Sequence, residues 1–182
     1  IAPSLVGSEM CIRDSNLPSI ELQGFEADDI IATFKNSAKK QNIKVTIVSS
    51  DKDLMQLVDN QTNMFDPMKE KLIGPKEVEE KFGVKPDKVI DVQSLAGDSV
   101  DNIPGVPGIG IKTAAELINK FKDLDELLKN IEKIKQPKRR QTLNDNKDKA
   151  IISKKLVTLD ENVPIKYKIE DLILKPQNTK KL

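Results

Sequence analysis

Lys44-Val45-Thr46-Ile47-Val48-Ser49-Ser50-Asp51-Lys52-Asp53 is a compact β-branched run that stops at two serines and two acids. An apolar run this short, bounded by turn residues, predicts a buried strand. Ser50 or Asp51 can cap a helix, predicted over Lys52–Val58. Upstream, Ile30, Ile31, Phe34 and Ala38 recur at helical spacing, which predicts a helix from Glu26 to about Lys40. Before it, Ser19-Ile20-Glu21-Leu22 reads as a short strand broken by Gly24. Strand, helix, strand, helix in this order is an α/β unit with a parallel sheet. Thr62–Phe65 and Lys71–Ile73 add a strand or a hairpin, with turn chemistry at Asp66-Pro67.

After Gly74 the pattern turns helical. Pro75–Phe82, Lys88–Leu95, Thr113–Phe121, Leu124–Asn130 and Lys147–Leu156 read as helices with short links, and Gln136-Pro137-Lys138-Arg139-Arg140 reads as a basic connection. From Thr158 the tail reads as short extended pieces. The expected fold class is α/β: a mostly parallel sheet with flanking helices, incomplete at the N-terminus, followed by a helical subdomain. The expected division is 16–74 for the α/β part and 75–182 for the helical part. Residues 1–15 show no period, and Leu5 to Ser15 resembles translated adaptor read-through. They are read as a non-native tail, with a disordered genuine N-terminus as the other reading.

Composition excludes several chemistries. There is no histidine, so a Ser-His-Asp triad, an imidazole base and His-ligated zinc are ruled out. A single cysteine, Cys11, leaves no disulfide scaffold within the chain and no thiolate cluster; it is compatible with a reducing cytoplasm. No apolar stretch approaches the ~18 residues of a membrane span. Net charge is +1, yet it is unevenly spread. Residues 21–101 hold 16 acids and 11 bases, a balance of −5, while residues 112–155 hold 13 bases and 7 acids, a balance of +6. An acidic half beside a basic half suits a metal site next to a surface for a phosphate backbone, though two solvated faces of opposite sign would look the same.

Three acidic clusters fall at element boundaries: Glu26-Ala27-Asp28-Asp29, Asp51-Lys52-Asp53 and Asp98-Ser99-Val100-Asp101. Each has a plain structural reading. Acids in a helix's first turn complement its dipole, Asp51 and Asp53 are a helix cap plus one surface acid, and Asp98 and Asp101 precede a proline turn. Their joint placement favours chemistry, because ligands in α/β folds bind beyond the strand C-termini. Converging carboxylates stay ionised only if cations neutralise them, and an all-oxygen set selects Mg²⁺ or Mn²⁺. Two such ions ~3.5–4 Å apart activate water and stabilise a leaving oxygen.

Ile103-Pro104-Gly105-Val106-Pro107-Gly108-Ile109-Gly110-Ile111-Lys112-Thr113 then opens a helix. Glycines permit positive φ and close backbone approach, and prolines fix the turn. N–H groups of Gly108, Gly110 and Lys112, with the Lys112 ammonium, can face a phosphate without reading a base. A tight interhelical turn without ligand is the alternative.

The three acidic motifs in this order, followed by that run, resemble the flap-endonuclease family, in particular the 5′→3′ exonuclease domain carried by bacterial DNA polymerase I. The likeness extends from about Asn16 to Leu182. It implies that Glu26, Asp28, Asp29, Asp51, Asp53, Asp98 and Asp101 are metal-site carboxylates, with Glu26, Asp28, Asp51, Asp53, Asp98 and Asp101 catalytic. It implies a helix–three-turn–helix at Gly105–Lys112 that grips duplex DNA through Gly105, Val106, Gly108, Ile109, Gly110, Lys112 and Thr113, with a K⁺ held by main-chain carbonyls at Val106 and Ile109. It also implies two or more Mg²⁺ or Mn²⁺ ions, a 5′ flap, nicked duplex or RNA primer–DNA as substrate, a polymerase domain as partner, and a bacterial cytoplasmic setting without a membrane. Lys138, Arg139 and Arg140 either add non-specific contact to DNA or form a loose surface loop. Family members carry a further N-terminal portion with the first strand, two more aspartates and a helical arch. The chain is therefore expected to be a fragment with weak or no cleavage. The alternatives are a non-catalytic duplex-DNA-binding module and a hydrolase of small phosphate esters.

Overall fold

The computed structural model describes residues 17–174 and Pro176. The expected non-native tail at 1–15 lies outside the described residues. The described chain divides into two compact units, one running to Ala38 and resuming at Asp160, the other comprising Lys39–Leu159.

In the first unit the predicted helix forms as α1 (Ala27–Lys40), whose last two residues belong to the second unit. It starts where Ile30 N–H reaches the Glu26 carbonyl at 3.3 Å. Asp28 and Asp29 lie in its first turn and Lys39 and Lys40 in its last, the charge order that suits a helix dipole. Its middle is tied to the returning chain: Thr33 Oγ1 donates to the Asp160 carbonyl at 3.2 Å and accepts from Val163 N–H at 3.0 Å. The strand predicted over Ser19–Leu22 does not form. This stretch has no ladder partner among the described residues, and the Leu22 carbonyl is taken by Phe25 N–H in a turn through Gly24, at φ +91°.

The second unit holds a three-stranded sheet: β1 (Val45–Val48), β2 (Thr62–Asp66) and β3 (Lys71–Ile73), in that spatial order. β1 and β2 are parallel, with Val45 opposite Thr62 and Val48 opposite Phe65. β2 and β3 are an antiparallel hairpin with Met64 opposite Ile73. The hairpin turn is built on Asp66, a buried carboxylate that accepts from Ser50 Oγ at 2.8 Å, Met68 N–H at 3.0 Å and Lys69 Nζ at 3.1 Å. These donors hold its pKa below the usual carboxylate value, the Ser50 hydroxyl foremost. The helix predicted after β1 is a 3-10 turn instead, Asp53–Leu57. Met55 N–H reaches back three residues to the Lys52 carbonyl, so the turn is tighter than an α-helix.

Six helices follow: α2 (Pro75–Phe82), α3 (Val89–Ala96), α4 (Ile111–Phe121), α5 (Leu124–Lys129), α6 (Pro137–Asp145) and α7 (Lys147–Val157). Pro137–Arg140, expected within a basic connection over Gln136–Arg140, are the first residues of helix α6. Pro137 sits in the first turn, where its missing N–H costs nothing, and Leu143 is the helix's buried side chain. α3 is the hub. Val89, Val92 and Leu95 are fully buried, and α3 packs on α7, α4 and α5. Buried Asp91 on α3 pairs with Lys154 of α7 at 3.1 Å, and Lys154 also reaches Asp125 of α5 at 3.1 Å.

Two glycines join α3 to the glycine–proline run. Gly97 ends α3 at φ +70° and Gly105 stands at φ +57°. A Cβ on Gly105 would come within 2.5 Å of the Gly97 nitrogen, and a Cβ on Gly97 within 2.7 Å of the Ile103 carbonyl oxygen. Gly108, at φ +74°, has nothing within 4 Å of its Cβ position. Gly108→Ala is therefore expected to cost only about 1 kcal/mol of backbone strain, and Gly105→Ala at least about 3 kcal/mol. Urea unfolding of both variants measures this; equal losses would contradict the backbone contact. Asp66 gives an acid-sensitivity prediction. Its folded pKa is depressed, so its stabilisation is present above the unfolded value and lost as pH falls through the depressed one. Asp66→Ala should be less stable than the parent at pH 7, with the difference shrinking in acid. A constant difference across the titration would refute the assignment.

Candidate active site

The loop after β1 is built from its own polar atoms. Ser49 N–H continues the ladder to the Phe65 carbonyl at 3.1 Å. Asp51 N–H donates to Ser49 Oγ at 3.0 Å, and Asp53 N–H donates to Asp51 Oδ1 at 2.9 Å. Successive Asx-type bonds of this kind fix a tight turn and present its carboxylates outward. Asp51 is exposed and Asp53 half-buried.

The second acidic loop leaves α3. Asp98 and Ile103 exchange both backbone bonds, at 2.9 and 2.7 Å, closing a small loop that carries Asp101. Asp98 Oδ1 accepts from Val100 N–H at 2.9 Å. Asp98 Oδ2 is ion-paired with Lys52, which lies between Asp51 and Asp53. Asp53 is joined to α3 by a bond from Gln93 Nε2 to its Oδ1 at 2.5 Å. Gln93 is buried, and its Oε1 has no hydrogen-bond partner among the described residues.

These links bring the two loops into one electrostatic cluster. Burial first, then the charges of Asp51 and Asp101, push the Asp53 carboxyl up, against the Gln93 hydrogen bond and the Lys52 charge. The Lys52 hydrogen bond holds the Asp98 carboxyl below the usual range, and the same bond raises the Lys52 ammonium, which also feels Asp53 and Asp101. Of the predicted carboxylates, Asp51, Asp53, Asp98 and Asp101 therefore share a field. Among the described residues no three carboxylates stand ready around a single ion. Lys52, not a third acid, meets Asp98. The donor chemistry nevertheless suits a hard divalent ion: several carboxylates, no nitrogen or sulfur ligand, and one acid whose charge is poorly compensated.

Glu26, Asp28 and Asp29 belong to the other unit. Asp29 Oδ1 accepts from Asp160 N–H at 2.9 Å, Glu26 supplies the carbonyl that starts α1, and Asp28 is half-buried. Lys52 and Gln93 were not singled out from sequence. The available signal for Gln93 was its place four residues after Val89 on a helix face that is otherwise apolar.

The glycine–proline run has a packed side and an open side. Val106 and Ile109 are buried, and Val106 N–H donates to the Leu95 carbonyl at 2.8 Å. Gly105 N–H donates to the buried Ser153 Oγ at 2.9 Å. Gly108 and Gly110 are exposed with open space at their Cβ positions. α4 begins at Ile111, two residues earlier than expected, with Gly110 as its N-cap and no capping side chain. Lys112 and Thr113 thus fall in the first turn, where helix N–H groups lack intrahelical partners. Lys138, Arg139 and Arg140 start α6, and Arg140 lies 3.9 Å from Glu132.

Residues 3–83 match the family model described as 5′-3′ exonuclease, N-terminal resolvase-like domain, and residues 84–180 match 5′-3′ exonuclease, C-terminal SAM fold. Over 170 residues the chain is 55% identical to DNA polymerase I of Rhizobium leguminosarum, covering 93% of this chain and 17% of that protein. It is 41% identical over 170 residues to a 5′-3′ exonuclease of Buchnera aphidicola, covering 90% of this chain and 59% of the relative. The backbone is similar to zinc-bound T5 5′-exonuclease, with TM-score 0.79, 23% identity and coverage of 86% of this chain and 58% of that one. It is also similar to the catalytic core of Rad2 in complex with DNA substrate, with TM-score 0.62, 14% identity and coverage of 100% of this chain and 63% of that one. At these identities the structural likeness is one of fold. The chain spans less than two thirds of the length of each of these proteins. The matched N-terminal resolvase-like domain followed by a C-terminal SAM fold together span most of the chain and define its class. The chain belongs to the 5′-3′ exonuclease family, as its acidic motifs led us to expect.

Asp53 supplies a prediction. Its folded pKa is raised, so the ionised form penalises the fold, and stability falls as pH climbs through the raised value. Asp53→Asn keeps an oxygen for Gln93 and removes the charge. In EDTA at pH 7 its melting temperature should exceed that of the parent; a lower one would contradict the burial and repulsion assigned to Asp53.

Proposed function

We propose that the chain is the divalent-metal-dependent, DNA-hydrolysing part of a 5′-3′ exonuclease, cleaving phosphodiesters at 5′ flaps, nicks or primer ends. The observation that carries this reading is the gathering of Asp51, Asp53, Asp98 and Asp101 from two separate loops into one field. A fold gains nothing from such repulsion unless cations relieve it. Two neighbours in fold agree: a T5 flap endonuclease was solved with DNA and metal ions, and Rad2 with a DNA substrate.

Asp51, Asp53, Asp98 and Asp101 are assigned to hold Mg²⁺ or Mn²⁺. Glu26, Asp28 and Asp29 are assigned as further ligands on the strength of their family motif alone. When bound, the ions supply Lewis acidity at the scissile phosphate and its water. The chain's own groups do the rest. Gln93 fixes the Asp53 carboxylate. The backbone at Gly105, Val106, Gly108, Ile109 and Gly110, with Lys112 and Thr113, holds the duplex backbone, using open glycines and the start of α4 to approach phosphates. Carbonyls at Val106 and Ile109 are the proposed seat of K⁺. A polymerase domain in the same polypeptide is the proposed partner, since the Rhizobium leguminosarum relative is a DNA polymerase I.

The competing reading is a DNA-binding module without chemistry. Isothermal titration with Mn²⁺, and fluorescence anisotropy with a 5′-flap duplex in EDTA, separate the two. Asp98→Asn should abolish Mn²⁺ binding and leave DNA affinity in EDTA undiminished. Unchanged Mn²⁺ binding in that variant would leave only the module. Lys112→Ala should weaken binding equally across DNA sequences and reduce the salt slope by about 0.9, as for one lost phosphate contact. A sequence-dependent loss would overturn the backbone assignment.

A further inference from the structure

We infer that Lys52 is the built-in counter-cation of the carboxylate cluster, seated on Asp98 and displaced from it when a divalent ion enters. Its role presupposes the metal centre proposed above. Three observations carry it. Lys52 lies between Asp51 and Asp53 in sequence, yet its ammonium pairs across to Asp98 on the loop after α3. Both Asp98 oxygens are engaged, Oδ1 by Val100 N–H and Oδ2 by Lys52. Among the described residues no three carboxylates are arranged around one point, and the group seated on Asp98 Oδ2 is the lysine. An ion that takes Asp98 Oδ2 as ligand must therefore take it from the lysine.

The side chains suit that exchange. Asp98 is held in a closed loop with its side chain 12% exposed, whereas the Lys52 side chain is 38% exposed on a flexible four-carbon stem. The anion is fixed and the ammonium is free to swing into solvent. The exchange is one cation for another. Without an ion, the ammonium offsets part of the repulsion among four carboxylates. With one, the same ammonium is redundant beside a doubly charged competitor.

The test is Mn²⁺ binding to the chain without DNA, read by loss of the free-ion electron paramagnetic resonance signal, with melting temperatures in EDTA and in Mn²⁺. Lys52→Gln should bind Mn²⁺ several-fold more tightly than the parent, melt lower in EDTA and gain more from Mn²⁺. Lys52→Arg keeps the charge and offers a forked grip on the carboxylate; it should bind Mn²⁺ more weakly than the parent. A purely structural lysine would lower the EDTA melting temperature of Lys52→Gln with Mn²⁺ affinity unchanged, and that result overturns the inference. So does weaker binding by Lys52→Gln, or tighter or equal binding by Lys52→Arg, which holds the test if Lys52→Gln fails to fold. Loss of Mn²⁺ binding in Asp98→Asn alongside an unaltered Lys52→Gln sinks the lysine's role alone. Absence of Mn²⁺ binding in the parent sinks the metal centre with it.

Discussion

The approach of Gly105 to Gly97 is the contact on which the second unit's functional half depends. No side chain larger than hydrogen fits at either position, since each Cβ would overlap backbone atoms. Because the contact is backbone on backbone, it has no rotamers to relax. It is locked from both sides: Val106 N–H on the Leu95 carbonyl, and Gly105 N–H on Ser153 Oγ from α7. The residues between the two glycines are thereby forced into a closed loop, sealed by the paired bonds of Asp98 and Ile103. That loop carries Asp98 and Asp101, and the chain leaving it becomes the open turn before α4. Two expected functions, holding cations and holding phosphates, thus grow from one backbone crossing.

The acids of this chain divide by what surrounds them. Asp66, Glu77 and Asp123 are held below their ordinary values chiefly by hydrogen-bond donors: the Ser50 hydroxyl, the Gly74 N–H and the Glu126 N–H. Those acids stabilise a turn or a helix start and require nothing further. Asp53 moves the other way, because its surroundings supply burial and two more carboxylates. Asp98 is held down, with the Lys52 hydrogen bond the leading cause and burial opposing it. A structural acid comes with its donors; an acid that waits for a ligand is left short of them. The buried Oε1 of Gln93, without a partner among the described residues and on the residue that bonds Asp53, is a second cost borne in the same place.

Much of this was legible in the sequence, and what was not has physical reasons. β1, the hairpin and α2 followed from β-branched runs, turn residues and a proline at a helix start. α6 was missed because one buried residue, Leu143, makes no period, and Lys138, Arg139 and Arg140 read as a loop. The helix predicted over Lys52–Val58 forms only as the turn Asp53–Leu57: its apolar residues Leu54, Met55 and Leu57 fit either form, and hydrogen bonds three residues apart leave no mark on composition. The acids could be read as a group, but not the way they are held. Lys52 looks like a solvated charge until Asp98, far along the chain, is folded beside it. Gln93 looks like a tolerated polar residue until it reaches Asp53. Long-range pairings of single side chains have no local signature.

The glycines show why the carboxylates and the turn are best considered together. Gly97 and Gly105 are required by crowding, while Gly108 and Gly110 stand in open space. At Gly108 the positive φ accounts for glycine; at Gly110, with ordinary φ, nothing among the described residues lies close enough to require it. An exposed N-cap position that lacks both a capping side chain and a steric need for glycine gives up stability that serine or aspartate would supply. That sacrifice is intelligible if another molecule's oxygen satisfies the first N–H groups of α4, and a phosphate does so without demanding a particular base. On the proposed reading, the span from the gripped phosphate to the carboxylate loop is then set by the Gly97–Gly105 crossing, a rigid element, and not by mobile side chains. On that reading a fixed span matters, because contacts to a phosphate backbone carry no base identity.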